Sequence, residues 1–95
     1  MTAYIIARVE VTDQQRYKKY LELTPETIEK YEGRFVARGV ETITLEGPEE
    51  KRRVVILEFP SLEKARRWYN SDEYQAVRKV RAEAAKGELI AIEGV

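Results

Sequence analysis

Arginine and glutamate side chains at alternating positions are the groups of this chain that could hold and orient a charged small molecule. Arg8, Arg38 and Glu58 share one parity of three predicted strands, so we expect them on one face of a sheet. If that face is covered, each charge needs a partner or a ligand, because an isolated buried charge is strongly unfavourable. Three alternatives remain open. The charges could form an Arg–Glu pair that fixes strand register or a subunit contact, or they could form a pocket in which Arg38 binds an anion that Glu58 orients. They could also simply reach solvent at the rim.

Aromatic side chains of the second predicted helix could supply stacking surfaces and hydrogen-bond donors. Trp68, Tyr69 and Tyr74 have spacings that place at least two of them inward. Such a stripe is typical of a hydrophobic core, and the functional alternative places Trp68 or Tyr69 at the end of a cavity, stacked on a planar ligand. A tyrosine could also serve in acid–base chemistry if its surroundings tune its pKa.

The composition narrows this chemistry further. The 95 residues include 17 basic and 17 acidic side chains but no histidine and no cysteine. Disulfides, Cys/His zinc sites, thiol nucleophiles and histidine triads are therefore excluded. Balanced charge argues against nucleic-acid binding, and the chain has neither an Asp-rich cation loop nor a glycine-rich phosphate loop. We expect no metal site and no cofactor.

Length and hydropathy predict a single domain over residues 1–95 that has no membrane contact. No run of 18 apolar residues occurs, and the first eight residues lack the charged lead and long apolar segment of a signal peptide. We therefore expect a cytoplasmic protein. A chain of this length buries only about 60–65% of its unfolded surface, so a partner subunit would add considerable stability.

Hydrophobic periodicity predicts the strands and helices that must position these side chains. The predicted strands are residues 4–11, 35–40, 53–59 and 89–92, with 41–45 as an extended continuation of the second. The predicted helix starts are Thr12, Ser61 and Ser71, and the predicted helix ends are Gly33 and Gly87. We expect Thr24-Pro25 to break the first helix and Gly39 to mark a bend or bulge in the second strand. Arg78, Lys79 and Arg81 complement the macrodipole near the end of the last helix.

The order strand, helix, strand, strand, helix, strand predicts an α+β fold, the ferredoxin-like βαββαβ pattern with a four-stranded antiparallel sheet. The predicted core-facing strand residues are Ile5, Ala7, Val9, Phe35, Ala37, Val55, Leu57 and Phe59. The opposite face should be polar, yet about half of its residues are apolar, which usually marks an interface. We therefore expect a homodimer in which two sheets pack face to face into a barrel.

A series of short motifs runs nearly end to end along the chain. The motifs are Val11-Thr12-Asp13, Gly33-Arg34-Phe35, Arg38-Gly39, Glu46-Gly47, Glu58-Phe59-Pro60-Ser61, Trp68-Tyr69, Glu73-Tyr74 and Glu93-Gly94. In this order and spacing they resemble the small bacterial family catalogued as domain of unknown function 1330, within the dimeric α+β barrel superfamily. The resemblance implies a ferredoxin-like subunit and a homodimeric barrel, without an established reaction. Two departures are Glu32 and Val40, where the family often has glycine.

Three functions remain open on these grounds. The first is a homodimer that binds a small anionic or aromatic metabolite in a cavity between its two sheets. The candidate ligand-binding residues are Arg8, Arg38, Glu58, Trp68 and Tyr69. The second is a cofactor-independent enzyme with isomerase-like or monooxygenase-like chemistry that uses Arg38, Glu58 and a tyrosine. The third is a structural dimer without a ligand. The fold does not decide among them.

Overall fold

The computed structural model describes residues 1–39 and 41–95, and its four strands form a single antiparallel sheet. In chain order the elements are β1 (Ala3–Val11), α1 (Gln14–Lys30), β2 (Arg34–Ala37), β3 (Arg53–Phe59), α2 (Leu62–Asn70), α3 (Asp72–Ala82) and β4 (Ala85–Glu93). The strand order β2-β3-β1-β4 is that of the predicted ferredoxin-like fold. The predicted end of the second strand, Val40, lies outside the described residues. No helix in the described part of the chain is long and apolar enough to cross a membrane.

The hydrophobic core lies between the three helices and one face of the sheet. Period-two alternation places Ile5, Val9, Leu57 and Phe59 on this face, and each is less than 5% exposed. The helices contribute the buried side chains Tyr17, Tyr20, Ile28, Ala65, Trp68, Tyr74 and Val77. The core is therefore unusually rich in aromatic rings on its helical side, and three of those rings carry a hydroxyl group that needs a partner.

The helix α1 is continuous through Pro25, so the predicted break at Thr24-Pro25 is wrong. Proline removes one backbone donor from the helix, but hydrogen bonds on both sides of it hold the turn. The Thr24 hydroxyl donates to the Tyr20 carbonyl at 2.6 Å, and the Thr27 hydroxyl donates to the Thr24 carbonyl at 2.7 Å. All three residues are buried in the core, so tertiary packing maintains the helix across the proline.

The first helix begins one residue later than predicted, with Asp13 rather than Thr12 as its N-cap. The Asp13 carboxylate accepts the Arg16 backbone N–H at 3.1 Å. Thr12 instead donates its hydroxyl to the Ala84 carbonyl at 3.0 Å, which ties the end of β1 to the start of β4.

The remaining helix boundaries follow local capping chemistry in two of three cases. Ser61 and Ser71 cap α2 and α3 as predicted, through side-chain oxygens that accept backbone N–H groups. Gly87 does not end α3, because α3 ends at Ala82 and Gly87 lies within β4 opposite Val9. A Cβ at Gly87 would lie 3.1 Å from a guanidinium nitrogen of Arg81, so the glycine makes room for that side chain.

The C-terminal end of α1 is a Schellman motif, which confirms the predicted end at Gly33. The Gly33 N–H donates to the Ile28 carbonyl and the Glu32 N–H donates to the Glu29 carbonyl, both at 2.9 Å. Glu32 therefore occupies the left-handed position that glycine usually takes, with φ of 64°. A Cβ at Gly33 would lie 2.5 Å from the Phe59 ring, so this glycine is required by close packing.

A β-bulge in β2 reverses the alternation of its side chains. Phe35 pairs with Leu57, but Ala37 pairs with Ile56, so Val36 is the additional residue between them. Paired residues point to the same face of a sheet. Ala37 therefore shares the face of Ile56, away from the helices, and the prediction that Ala37 is part of the core is wrong.

The same bulge determines the position of Arg38. Its guanidinium carbon lies 4.1 Å from the centroid of the Phe35 ring, which packs against the core on the helix side of the sheet. The prediction that Arg38 shares a face with Arg8 and Glu58 is therefore wrong. Gly39 follows with φ of 62°, beyond the end of β2 at Ala37, so the irregularity of the second strand lies at Val36 rather than at Gly39 as predicted.

Candidate functional site

A cavity of about 140 Å³ lies between α1 and the helix-facing side of the sheet, and we call it the inner cavity. Its walls combine apolar side chains of the sheet, aromatic rings and three arginines. The lining includes Ala7, Val9, Tyr17, Tyr20, Thr24, Pro25, Phe35, Arg38, Arg53, Val55, Leu57, Trp68 and Arg81. The inner cavity therefore borders the aromatic side chains of the core.

The three arginines of the inner cavity, Arg38, Arg53 and Arg81, are not neutralised by acidic side chains. Within residues 1–39 and 41–95, none of them forms an ion pair. Arg81 is only 6% exposed. In the same described residues, the buried Nε atoms of Arg53 and Arg81 have no hydrogen-bond partner. A buried guanidinium with an unused donor is unfavourable unless an anion or other acceptor reaches it.

Tyrosine hydroxyls and rings hold two of these arginines in place. The hydroxyl oxygens of Tyr20 and Tyr74 lie 2.8 Å apart in a hydrogen bond, and Arg81 Nη1 donates to the Tyr74 hydroxyl over 3.4 Å. The Arg81 guanidinium carbon lies 5.9 Å from the Tyr20 ring centroid, and that of Arg53 lies 6.0 Å from the Tyr17 ring centroid. Both distances are within the range of cation–π attraction.

Burial raises the pKa of the Tyr74 hydroxyl well above its usual value, and the neighbouring Tyr20 raises it further. Burial also raises the pKa of Tyr17, again with a contribution from Tyr20. Both hydroxyls therefore stay protonated at neutral pH. Tyr17 lines the inner cavity, whereas the Tyr74 hydroxyl is hydrogen-bonded to Tyr20 and Arg81 within the core.

Trp68 is a core residue with one part of its surface on the inner cavity. It is 1% exposed, and its indole N–H donates to the Thr27 hydroxyl at 3.0 Å. Its ring centroid lies 4.1 Å from that of Tyr74 and 5.4 Å from that of Phe59. The core interpretation of the aromatic stripe is therefore confirmed for Trp68, which also lines the inner cavity.

Tyr69 faces a different depression, which lies between α2, α3 and the edge strand β4. We call it the outer cleft; its volume is about 520 Å³. The helices contribute to its lining the residues Arg66, Tyr69, Asn70 and Arg78. Arg81 lines both the outer cleft and the inner cavity.

Arg8 and Glu58 lie on the face of the sheet away from the helices, which we call the outer face. Glu58 does pair with an arginine across neighbouring strands, but the partner is Arg34, at 3.0 Å, rather than Arg38. Arg8 lies 3.5 Å from Glu50. The five candidate residues are thus divided: Arg38 and Trp68 line the inner cavity, Tyr69 the outer cleft, and Arg8 and Glu58 the outer face.

Sequence reasoning missed Arg53 and Arg81, although the sequence carries a signal for each. Arg81 follows Val77 by four residues and Tyr74 by seven, so it continues the buried stripe of α3. Arg53 precedes Val55 by two residues and therefore shares its core-facing parity in β3. An arginine on an otherwise apolar, inward-facing pattern is the observation that could have identified both.

A four-stranded antiparallel sheet of order β2-β3-β1-β4, covered on one face by helices, defines a protein of ferredoxin-like α+β fold. The chain belongs to the family described as "Domain of unknown function (DUF1330)", which matches residues 2–95. No curated protein gives a significant sequence match.

Solved structures share this fold over nearly the whole chain. The RPA0582 protein of unknown function from Rhodopseudomonas palustris has 20% identity and a TM-score of 0.80, covering 99% of this chain and 82% of that one. SnoaB, a cofactor-independent oxygenase from Streptomyces nogalater, has 14% identity and a TM-score of 0.71, covering 99% and 93%. A dimeric protein of unknown function and ferredoxin-like fold from Bacteroides fragilis has 17% identity and a TM-score of 0.58, covering 98% and 96%. At these identities the similarity is one of fold.

Proposed function

We propose that the inner cavity binds a small molecule that joins an anionic group to an apolar, planar body. The observation that carries the proposal is the Arg81 guanidinium, which is buried, has an unused Nε donor and has no carboxylate partner in the described residues. Arg53, which also lines the inner cavity, has the same unused donor. A carboxylate or phenolate in the cavity would accept these hydrogen bonds and neutralise charge, and hydrogen bonds between charged groups are the stronger kind.

The size of the cavity limits the ligand to about one aromatic ring. A cavity of roughly 150 Å³ in another protein holds a single benzene molecule, and the inner cavity is about 140 Å³. The rings of Trp68 and Tyr17 and the apolar side chains of the sheet supply the surface for such a ring. We therefore infer a monocyclic aromatic carboxylate or phenolate as the class of ligand.

This location replaces the cavity between two sheets that the sequence suggests, because the unpaired arginines lie on the helix side. Arg38 and Trp68 keep their proposed binding roles there. Arg8 and Glu58 are instead assigned to the outer face, where they would contribute to contact between subunits. Glu58 is then too far from the inner cavity, on the other side of the sheet, to orient the ligand.

The second candidate is a cofactor-independent oxygenase, and it rests on the anion-stabilising character of the cavity. SnoaB, which shares the fold, is described as such an oxygenase. Guanidinium groups would stabilise the enolate or phenolate form of a substrate. The described residues that line the inner cavity include no carboxylate and no histidine to remove the proton. We therefore rank binding ahead of catalysis.

We also propose that the protein is a homodimer that pairs through the outer face. This face carries Tyr4, Ile6, Val36, Val54, Ile56, Ile90 and Ile92. Ile90 and Ile92 are 60% and 52% exposed, which is unusual for adjacent apolar positions of one strand face. Two sheets packed at this face would bury both isoleucines and leave the inner cavity of each subunit on the far side.

The test is a titration of the isotope-labelled protein with benzoate, observed at the indole N–H resonance of Trp68, the single tryptophan. We expect a saturable shift with benzoate and a much smaller one with benzamide, which has the same shape without the charge. The variants R53Q and R81Q should each weaken benzoate binding about tenfold, the loss of one charge-assisted hydrogen bond.

The matched control is Arg67→Gln, which removes the same charge from an exposed position of α2 and should bind benzoate normally. If R81Q fails to fold, R53Q and the benzamide comparison still decide the outcome. An unshifted indole resonance, or equal affinity in R53Q and R67Q, would contradict the proposal and favour a structural dimer without a ligand.

A further inference from the structure

We infer that the outer cleft is a second, separate site, for a ligand that carries a phosphate or carboxylate group on an apolar body. The cleft exists because the helices only partly cover the edge of the sheet. β4 is an edge strand, and its residues Gly87 and Ala91 face the helix side but remain exposed. The volume of about 520 Å³ falls within the range of about 300–1,000 Å³ that is usual for metabolite sites.

The helical wall of the cleft is cationic. Arg66, Arg78 and Arg81 all line it. Arg78 makes no ion pair within residues 1–39 and 41–95, and its buried Nε has no hydrogen-bond partner there. Arg66 has only a long contact of 3.7 Å to Glu63 between exposed side chains. Guanidinium groups bind phosphate and carboxylate oxygens in a fixed two-point geometry, so converging arginines favour these anions.

Simple solvation of the charges does not account for this arrangement. A solvated arginine keeps its donors in water, whereas the Nε atoms of Arg78 and Arg81 are buried at the cleft wall. Attraction to the C-terminal end of α3 explains why arginines occur in its last turns. It does not explain why the Nε atoms of Arg78 and Arg81 are buried, or why the Arg81 guanidinium lies against Gly87 of β4.

The rest of the lining indicates what accompanies the anionic group. The floor consists of the apolar side chains Ile5 and Leu89, and the Tyr69 side chain and Asn70 stand at the helical side. None of the described lining residues is acidic. A ligand with an anionic head and an apolar body would therefore place its head at Arg66 and Arg78 and its body along the strand.

The proposal does not depend on the inner cavity, because Arg66 and Arg78 line the outer cleft alone. Phenyl phosphate is the probe, with inorganic phosphate to test the anionic group by itself and benzoate to test a carboxylate. We expect phenyl phosphate to shift the backbone amide resonances of Asn70 and Ala91, and inorganic phosphate to shift them with lower affinity.

Arg78→Gln should weaken binding of phenyl phosphate about tenfold, and Arg53→Gln, at the inner cavity, should leave it unchanged. Arg67→Gln controls for charge on α2, and Arg66→Gln is the second cleft variant if R78Q does not fold. Absence of a shift at Asn70 and Ala91 with millimolar phenyl phosphate would overturn the inference. Equal affinity in R78Q and R67Q would do the same. Whether the inner cavity binds its own ligand is decided separately, by the shift of the Trp68 indole N–H resonance with benzoate.

Discussion

Arg81 is a buried charged residue that lines both the inner cavity and the outer cleft. It is 6% exposed, contacts the Tyr74 hydroxyl, and lies against Gly87, where a Cβ would lie 3.1 Å from its guanidinium nitrogen and require a small shift. Its guanidinium lines both the inner cavity and the outer cleft. An anion bound on either side would draw on the same cation, so the two proposed sites should bind their ligands with negative coupling.

Buried Tyr74 should make the stability of the protein fall steeply in alkali. Unfolded tyrosine loses its proton near about pH 10, whereas burial raises the pKa of folded Tyr74. Above that pH the folded state binds more protons than the unfolded state, so the free energy of unfolding falls as the pH rises. Each such group contributes at most about 1.4 kcal/mol per pH unit.

Tyr74→Phe tests this prediction by removing one titrating group. At neutral pH the variant should lose about 1 kcal/mol through the missing hydrogen bond to Tyr20. Urea unfolding from about pH 9 to about pH 11 should then show a shallower decline than in the wild type. Tyr4→Phe on the outer face serves as the control. Parallel pH profiles for the wild type and Y74F would show that Tyr74 does not account for the loss.

At the scale of the elements, capping and periodicity predict what is local, and packing decides the rest. Ser61 and Ser71 begin their helices as predicted, because a cap depends on a few neighbouring residues. Pro25 does not end α1, because buried threonine hydroxyls on either side support the turn. That support is visible only once the helix is packed against the sheet.

The left-handed residue at the end of α1 offers a stabilising substitution. Glu32 has φ of 64°, a conformation that is strained for residues with a Cβ and natural for glycine. Glu32→Gly should therefore raise the free energy of unfolding by up to about 1 kcal/mol, since its exposed contact with Lys64 is long, at 3.7 Å, and weak. Thermal or urea unfolding measures the change.

The matched control is Glu22→Gly, at an exposed position within the same helix. There glycine should lower stability by about 1 kcal/mol. A loss of stability in both variants would mean that Glu32 is not strained by its backbone conformation.

At the scale of the whole molecule, the two faces of the sheet differ in the side chains that they carry. One face forms the core and both proposed ligand sites, and the outer face combines exposed isoleucines with ion pairs at its margins. Alternation in β1 and β3 predicts this division correctly. The sequence alone could not place Arg38, because the face of a side chain after a bulge depends on a pairing register that no local pattern records.

A charge on the outer face should therefore separate the proposed dimer. Ile90→Asp places a carboxylate among Ile6, Ile56 and Ile92, which would be buried in the dimer without a partner. At micromolar concentration, light scattering should give twice the 11.1 kDa mass of one chain for the wild type. For I90D it should give the mass of one chain.

Leu23→Asp is the control, since Leu23 is a partly exposed apolar residue of α1, away from the outer face. It should remain a dimer. A monomeric wild type at micromolar concentration would refute pairing through the outer face, and so would a dimeric I90D.

The bulge at Val36 also has a consequence for how proteins with this fold could diverge. If Val36 itself paired with Ile56, alternation in β2 would be regular, and Arg38 would lie on the outer face instead of the helix side of the sheet. A shift of one residue in this register would then transfer a positive charge from a ligand cavity to a subunit contact without replacing any amino acid. In a lineage of such proteins, a change of ligand and a change of assembly could arise together from the loss or gain of this bulge.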